Sequence, residues 1–267
     1  MCFLKLEMRV PRKDKNCPMC ELFASSTAQD ATAWEYLAPF AEKSRNSPSG
    51  WGIGFFRDGR VLIEKSSESI RTGDQVHDGF LRLARVVESR LIISQFCGPM
   101  EDRPKESPLL PLSDQFLHHH WLFAFRGDSR KVAAYQSPRP ILPEARSSVA
   151  VRVLEFIRDG MGAEMQVWPD QNLYQALALT CKRLITDYPG DYLFFLANET
   201  VLFVFLNHSE VLLYQPPQAR GEALVLTTVA GGLTRDPDQW LAFVNANRSR
   251  GQLLIISGGD LLYQGHL

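Results

Sequence analysis

Short apolar runs closed by turn residues stand on both sides of a central pair of helical segments, and this arrangement limits the fold of the chain most. Ahead of the pair, residues 51–56 and 61–64 flank Arg57-Asp58-Gly59, a hairpin signal in which Gly59 supplies a positive φ. Residues 91–96 and 121–125 read as further strands. Residues 149–157 and 173–185 repeat apolar side chains at helical spacing, and Pro189-Gly190 stops the second segment. Four more strands follow at 192–197, 201–206, 211–214 and 223–227, and a hairpin over 253–263 turns at Gly258-Gly259-Asp260. Helices are also expected at 28–43, with Pro39 as a break or kink, at 80–87, and at 236–244, with loops at 46–49 and 98–111. Strand clusters separated by two helices predict two sheets with a helical layer, an α+β design.

The chain has 267 residues, enough to bury a sizeable core in one large domain or two small ones. Its 29 Lys and Arg against 30 Asp and Glu give a net charge of -1, so no global field draws it to nucleic acid or to an anionic membrane. The most apolar run, 192–206, is interrupted by Asn198 and Glu199 and is too short to span a bilayer. Charges from Lys5 onwards and the lack of an apolar stretch argue against a secretory signal and for a cytoplasmic protein. The five cysteines, Cys2, Cys17, Cys20, Cys97 and Cys181, have no framework spacing, and reduced thiols are expected. His118, His119 and His120 would point to opposite faces of a strand, and no second Cys-x-x-Cys accompanies Cys17 and Cys20. Neither a metal nor another cofactor is therefore expected. Gly231-Gly232 and Gly258-Gly259 lack the strand and helix context of a nucleotide loop and read as turns.

Two motifs stand in order near the start. Met19-Cys20-Glu21-Leu22-Phe23 resembles the opening of the small, stand-alone class II glutamine amidotransferases, Met-Cys-Glu-Leu-(Leu/Phe). Gly50-Trp51-Gly52-Ile53-Gly54-Phe55-Phe56, followed by Asp58-Gly59, is similar to that family's Asp-Gly-Trp-Gly-Ile-(Ala/Gly)-Phe-Tyr hairpin at closely similar spacing. Leu91-Ile92-Ile93-Ser94 sits where the family has a strand leading into His-x-Arg-x-Ala-Thr. Asp114-Gln115-Phe116 resembles the end of Asn-Thr-x-Pro-Phe, and Phe123-Ala124-Phe125-Arg126-Gly127 stands where Phe-Ala-His-Asn-Gly would be. The resemblance runs from Met19 to the C-terminus. It implies an N-terminal-nucleophile (Ntn) hydrolase fold, an αββα sandwich of two mainly antiparallel sheets between helical layers. Residues 1–18 are then an extension or propeptide, and 19–267 the amidotransferase-like domain.

In this family a cysteine at the mature N-terminus attacks the side-chain amide of glutamine. Its own α-amine, which titrates near neutral pH, can serve as the base. The resemblance assigns that role to Cys20, with Cys2 as the competing candidate. Cys20 lies inside the sequence. Either Met19 is the start, or the preceding residues are a propeptide, or the amine is never freed. A reversible Cys17–Cys20 disulfide masking the nucleophile is a further alternative.

The implied ligands depart from the family pattern. The Arg that holds the substrate α-carboxylate falls on Cys97, and the His of the same motif on Gln95. The Asn-Gly pair of the oxyanion hole falls on Arg126-Gly127, and the Asp that holds the α-amine falls near Arg146. Trp51 lies close to the substrate in the family pattern, although packing within its hairpin is the simpler role. Losing one oxyanion donor costs about 100- to 1,000-fold in rate. A hydrogen bond to a charged group is worth roughly 1.5–3 kcal/mol. These losses leave two readings open: an amidohydrolase acting on a small-molecule amide such as glutamine, or a catalytically silent protein that uses the pocket for binding. A homo-oligomer and an ammonia-accepting partner both stay open.

Overall fold

In the computed structural model, which describes residues 20–44, 49–97, 111–129, 131–142, 148–168, 172–217 and 222–267, strand alternation sorts the apolar residues into three cores. The N-terminal extension 1–18, Met19 and the loop residues 46–48 and 98–110 lie outside the described residues.

The chain runs β1 (Cys20–Thr32), α1 (Trp34–Lys43), β2 (Ser49–Arg57), β3 (Arg60–Ser69), β4 (Arg71–Thr72), β5 (Gln75–Val76) and α2 (Asp78–Val86). It continues through β6 (Glu88–Cys97), β7 (Leu112–Phe116), β8 (His119–Asp128), α3 (Val149–Val167) and α4 (Leu173–Asp187). The last part is β9 (Asp191–Ala197), β10 (Leu202–Asn207), β11 (Ser209–Tyr214), β12 (Ala223–Thr227), β13 (Leu241–Asn245), β14 (Gln252–Ser257) and β15 (Asp260–His266). A seven-stranded sheet has the order β13-β11-β12-β1-β6-β2-β3, and a six-stranded sheet the order β15-β14-β10-β9-β8-β7. The pairings within both sheets are antiparallel.

Leu22, Ala24, Leu91 and Ile93 of the first sheet meet Leu122, Ala124, Leu193 and Phe195 of the second in a core between the sheets. A strand side chain two residues on lies on the same face, so the intervening residues face outwards. Phe23, Ile53, Ile92 and Phe96 meet Phe40, Phe80 and Ala84 of α1 and α2, whereas Phe123, Phe194 and Phe203 meet Val153, Ile157, Leu177 and Leu184 of α3 and α4. The result is the expected αββα sandwich. A Cβ at Gly54 would strike the side chain of Leu122, so the two sheets touch closely there. A Cβ at Gly160 would lie 2.6 Å from Cγ2 of Thr180, which places α3 hard against α4.

Local chemistry sets the element ends. The turn between β2 and β3 has Asp58 and Gly59 at φ of 51° and 71°, a conformation that Gly and Asp tolerate best. The Asn172 side chain accepts from Gln175 N at 2.9 Å and caps α4. Pro39 sits inside α1 without ending it. Two expectations are corrected. Residues 28–32 are strand, because β1 continues past an irregularity between Ser26 and Ala31 to pair with Ser89 and Glu88. Residues 236–244 form a single 3-10 turn, Pro237–Gln239, and then the edge strand β13, since pairing with β11 outweighs the local helical pattern. Segment 112–116, to which the sequence pattern assigns no element, is a strand paired with β8 through a two-residue turn at Leu117 and His118. No helix among the described residues is long and apolar enough to cross a membrane.

Candidate active site

Cys20 opens β1, the central strand of the seven-stranded sheet, and lies directly opposite Cys97, the last residue of β6. Their Cα atoms are 4.1 Å apart, the spacing of a non-hydrogen-bonded antiparallel pair, in which the side chains come closest. The two sulfurs form a disulfide. Cys20 follows the phase of Leu22 and Ala24, and Cys97 that of Leu91 and Ile93, so both face the gap between the sheets. Each is 6% exposed, and at this end of the sandwich both pack with the cluster of Phe123, Phe125 and Val151, not with the inter-sheet core of Leu22 and Ala24. The expectation of reduced thiols is corrected for this pair. The alternative Cys17–Cys20 bridge has one partner outside the described residues, and Cys20 is already bonded elsewhere.

The second sheet reaches this point through Gln95, which the sequence offered only as a replacement for a histidine. Gln95 is 1% exposed and shares the phase of Cys97. Its Nε2 donates to the carbonyl oxygen of Phe125 at 2.6 Å and to Sγ of Cys97 at 3.2 Å, and its Oε1 accepts from Phe125 N at 3.1 Å. The side-chain amide thus stands in for a neighbouring strand where β8 has run beyond its pairing with β7, which ends at the Leu112–Phe123 pair.

This contact orients the segment that follows. Both backbone polar groups of Phe125 point to Gln95, away from β9. Backbone groups alternate sides along a strand, so Gly127 N–H turns to the same edge as Phe125 N–H. Arg126 follows the phase of Leu122 and Ala124, which directs its side chain into the inter-sheet gap. Gly127 has no room for a side chain, because a Cβ there would run into the carbonyl oxygen of Asp191 and the ring of Phe125. Asp191 is held by Arg248, through hydrogen bonds of 2.6 and 2.9 Å.

Gln95 therefore ties the end of the first sheet that carries Cys20 and Cys97 to the end of β8, where Arg126 and Gly127 follow Phe125. Trp51 does not join them. It shares the phase of Ile53 and Phe55 on the helix side of its sheet, with its ring 5.5 Å from those of Phe80 and His77. The sheet itself separates Trp51 from the gap, so of its two candidate roles the structure gives it packing against α2, not a place beside Cys20. Arg146 lies outside the described residues. Among those residues no group of His, Cys, Asp or Glu could hold a metal ion. Cys181 is wholly buried in α4, where desolvation pushes its thiol far up, so it has no nucleophilic character.

Chemically, the site offers two cysteine sulfurs joined in a disulfide, with the Gln95 amide linking them to a strand end that carries a backbone N–H and a guanidinium. No curated protein matches the sequence. Solved structures do share the fold. A predicted glutamine amidotransferase from Pseudomonas aeruginosa is 13% identical, with 93% of this chain and 96% of that one covered at a TM-score of 0.54. A glutamine aminotransferase class-II domain protein from Silicibacter pomeroyi is 12% identical, with 93% and 98% covered at 0.55. The glutamine phosphoribosylpyrophosphate amidotransferase of B. subtilis is 14% identical at 0.58, and the match covers 93% of this chain but only 49% of that enzyme. At these identities the likeness is one of fold. The family model described as "Glutamine amidotransferases class-II" matches residues 19–224, most of the sequence, and the chain belongs to that family.

Proposed function

We propose that the domain is a thiol-dependent amidohydrolase of the glutamine amidotransferase type, active when Cys20 is reduced and forms the mature N-terminus. One observation carries this reading: Cys20 begins the central strand of its sheet, facing the second sheet, at the same end as Gly127. In this reading the Cys20 α-amine takes the thiol proton and the thiolate attacks the amide carbon. Gly127 N–H, with the Arg126 guanidinium nearby, stabilises the oxyanion. Ammonia leaves with the proton, and water then releases the acid from the thioester. The substrate is a small molecule with a glutamine-type side-chain amide. Residues 1–18 are a removable extension in this account.

Intact-mass analysis of the native protein tests the processing step, and ammonia release by wild type and Cys20→Ala tests the chemistry. Activity that requires Cys20 in a chain beginning at Cys20 supports the reading. A retained N-terminal segment, with equal background release from both proteins, refutes it.

A second reading has its own support. The disulfide occupies both the nucleophile position and the position matched to the carboxylate-binding arginine. That arrangement suits a catalytically silent member whose pocket serves binding. Glutamine binding without turnover in the reduced protein would favour it.

A further inference from the structure

We propose that Cys20 and Cys97 form a thiol–disulfide exchange site whose reactant is a dithiol, and that the bridge is a reversible lock on the candidate nucleophile. The inference deepens the amidohydrolase reading and rests on it for the meaning of the lock, though not for the exchange chemistry. Three features support it. The cysteines are directly opposed at the ends of their strands, so bridging needs no rearrangement of the sheet. Both sulfurs sit where the bonded state removes the nucleophile and fills the substrate-carboxylate position together. Gln95 also gives the pair a polarity, because its Nε2 donates to Cys97 Sγ at 3.2 Å while its other contacts fix it to Phe125.

That polarity sets the direction of exchange. Thiol–disulfide exchange runs by attack of a thiolate on one sulfur and departure of the other, and the better-stabilised thiolate leaves. The Gln95 N–H stabilises negative charge on Cys97, so the incoming thiolate bonds to the Cys20 sulfur and Cys97 departs as the thiolate. The second thiol of the dithiol then attacks its own mixed-disulfide sulfur and expels Cys20. The Cys20 and Cys97 sulfurs together gain two electrons and two protons, and the dithiol becomes a cyclic disulfide. The reverse reaction, with the cyclic disulfide as oxidant, closes the lock.

The test uses the full chain equilibrated in mixtures of reduced and oxidised dithiothreitol, quenched with iodoacetamide, and mapped by peptide mass spectrometry. The expected result is a Cys20–Cys97 cross-linked peptide in oxidising mixtures. It is lost in reducing mixtures under native conditions, and both cysteines then carry the alkyl group. In Cys97→Ser, Cys20 should alkylate in every mixture. Alkylation of wild-type Cys20 under oxidising conditions overturns the proposal, as does a bridge that survives native reduction. These readouts are independent of turnover. If the bridge opens and closes as expected while the reduced, processed protein releases ammonia only at background, the exchange site stands and the amidohydrolase reading falls. If Cys20 alkylates in every mixture while the processed protein releases ammonia in all of them, the lock is refuted and the hydrolase reading survives.

Discussion

Replacing Gln95 with Leu tests how the two sheets are joined at the candidate site. Leucine keeps much of the volume of glutamine and removes its polar head, so the change isolates hydrogen bonding from packing. The mutation deletes both bonds to Phe125 and leaves a buried N–H and a buried carbonyl without that partner. A buried backbone group left unsatisfied costs about 1–3 kcal/mol, so the pair together costs roughly 2–6 kcal/mol. Chemical denaturation measures this as a fall in the urea midpoint at unchanged slope. In hydrogen exchange, the Phe125 amide should lose protection before the amides paired between β8 and β9. A loss below about 0.5 kcal/mol, the size of an ordinary surface substitution, would refute the claim that Gln95 pins the end of β8. Loss of stability with unchanged protection at Phe125 would place the cost elsewhere.

Other consequences can be checked in parallel. Gly127→Ala should be destabilised and should lose any thiol-dependent amide hydrolysis, because its Cβ meets the Asp191 carbonyl; a stable, active variant in urea and ammonia assays would contradict the close contact. Reducing the disulfide releases a constraint across 77 residues of sequence, and loop entropy puts the oxidised form about 4.5 kcal/mol ahead in urea melts. Burial, with Tyr214 and Glu35 adding repulsion, lifts Tyr36 from 10.0 to about 12, and burial first, then Tyr188 and Asp191, lifts Tyr192 likewise. The folded state then holds protons that the unfolded state releases, so stability falls as pH rises from about 10 to about 12. Tyr192→Phe should flatten that fall, which pH-dependent melts would record. Cys181 should resist iodoacetamide in the native state and react only on unfolding.

Most strands were legible because their signals are local. The β2–β3 hairpin announces itself in Asp58-Gly59, and α3 and α4 in helical periodicity and the stop after Asp187. What failed depended on partners far along the chain. β13 starts with a capped turn, in which the Asp236 side chain accepts from Asp238 N, and that resembles a helix start until β11 pairs with it. The extension of β1 through 28–32 exists because Ala31 and Thr32 find Ser89 and Glu88. The site divides in the same way. Cys20 and Gly127 could be named from motifs, whereas the pairing of Cys20 with Cys97 follows from strand register alone. Gln95 left one faint trace, an amide inside the otherwise apolar run that ends in Phe96 and Cys97. A polar residue in a strand buried on both faces needs a partner, and here the partner is the backbone of the opposite sheet.

The proposed chemistry requires reduced Cys20 to be the nucleophile that attacks a glutamine-type amide. The most direct measurement is labelling of the reduced, native protein with a diazoketone analogue of glutamine, with the modified residue located by peptide mass spectrometry. The expected result is a single adduct on Cys20 that excess glutamine suppresses and prior oxidation prevents. No adduct on Cys20, or labelling that glutamine does not compete away, would contradict it.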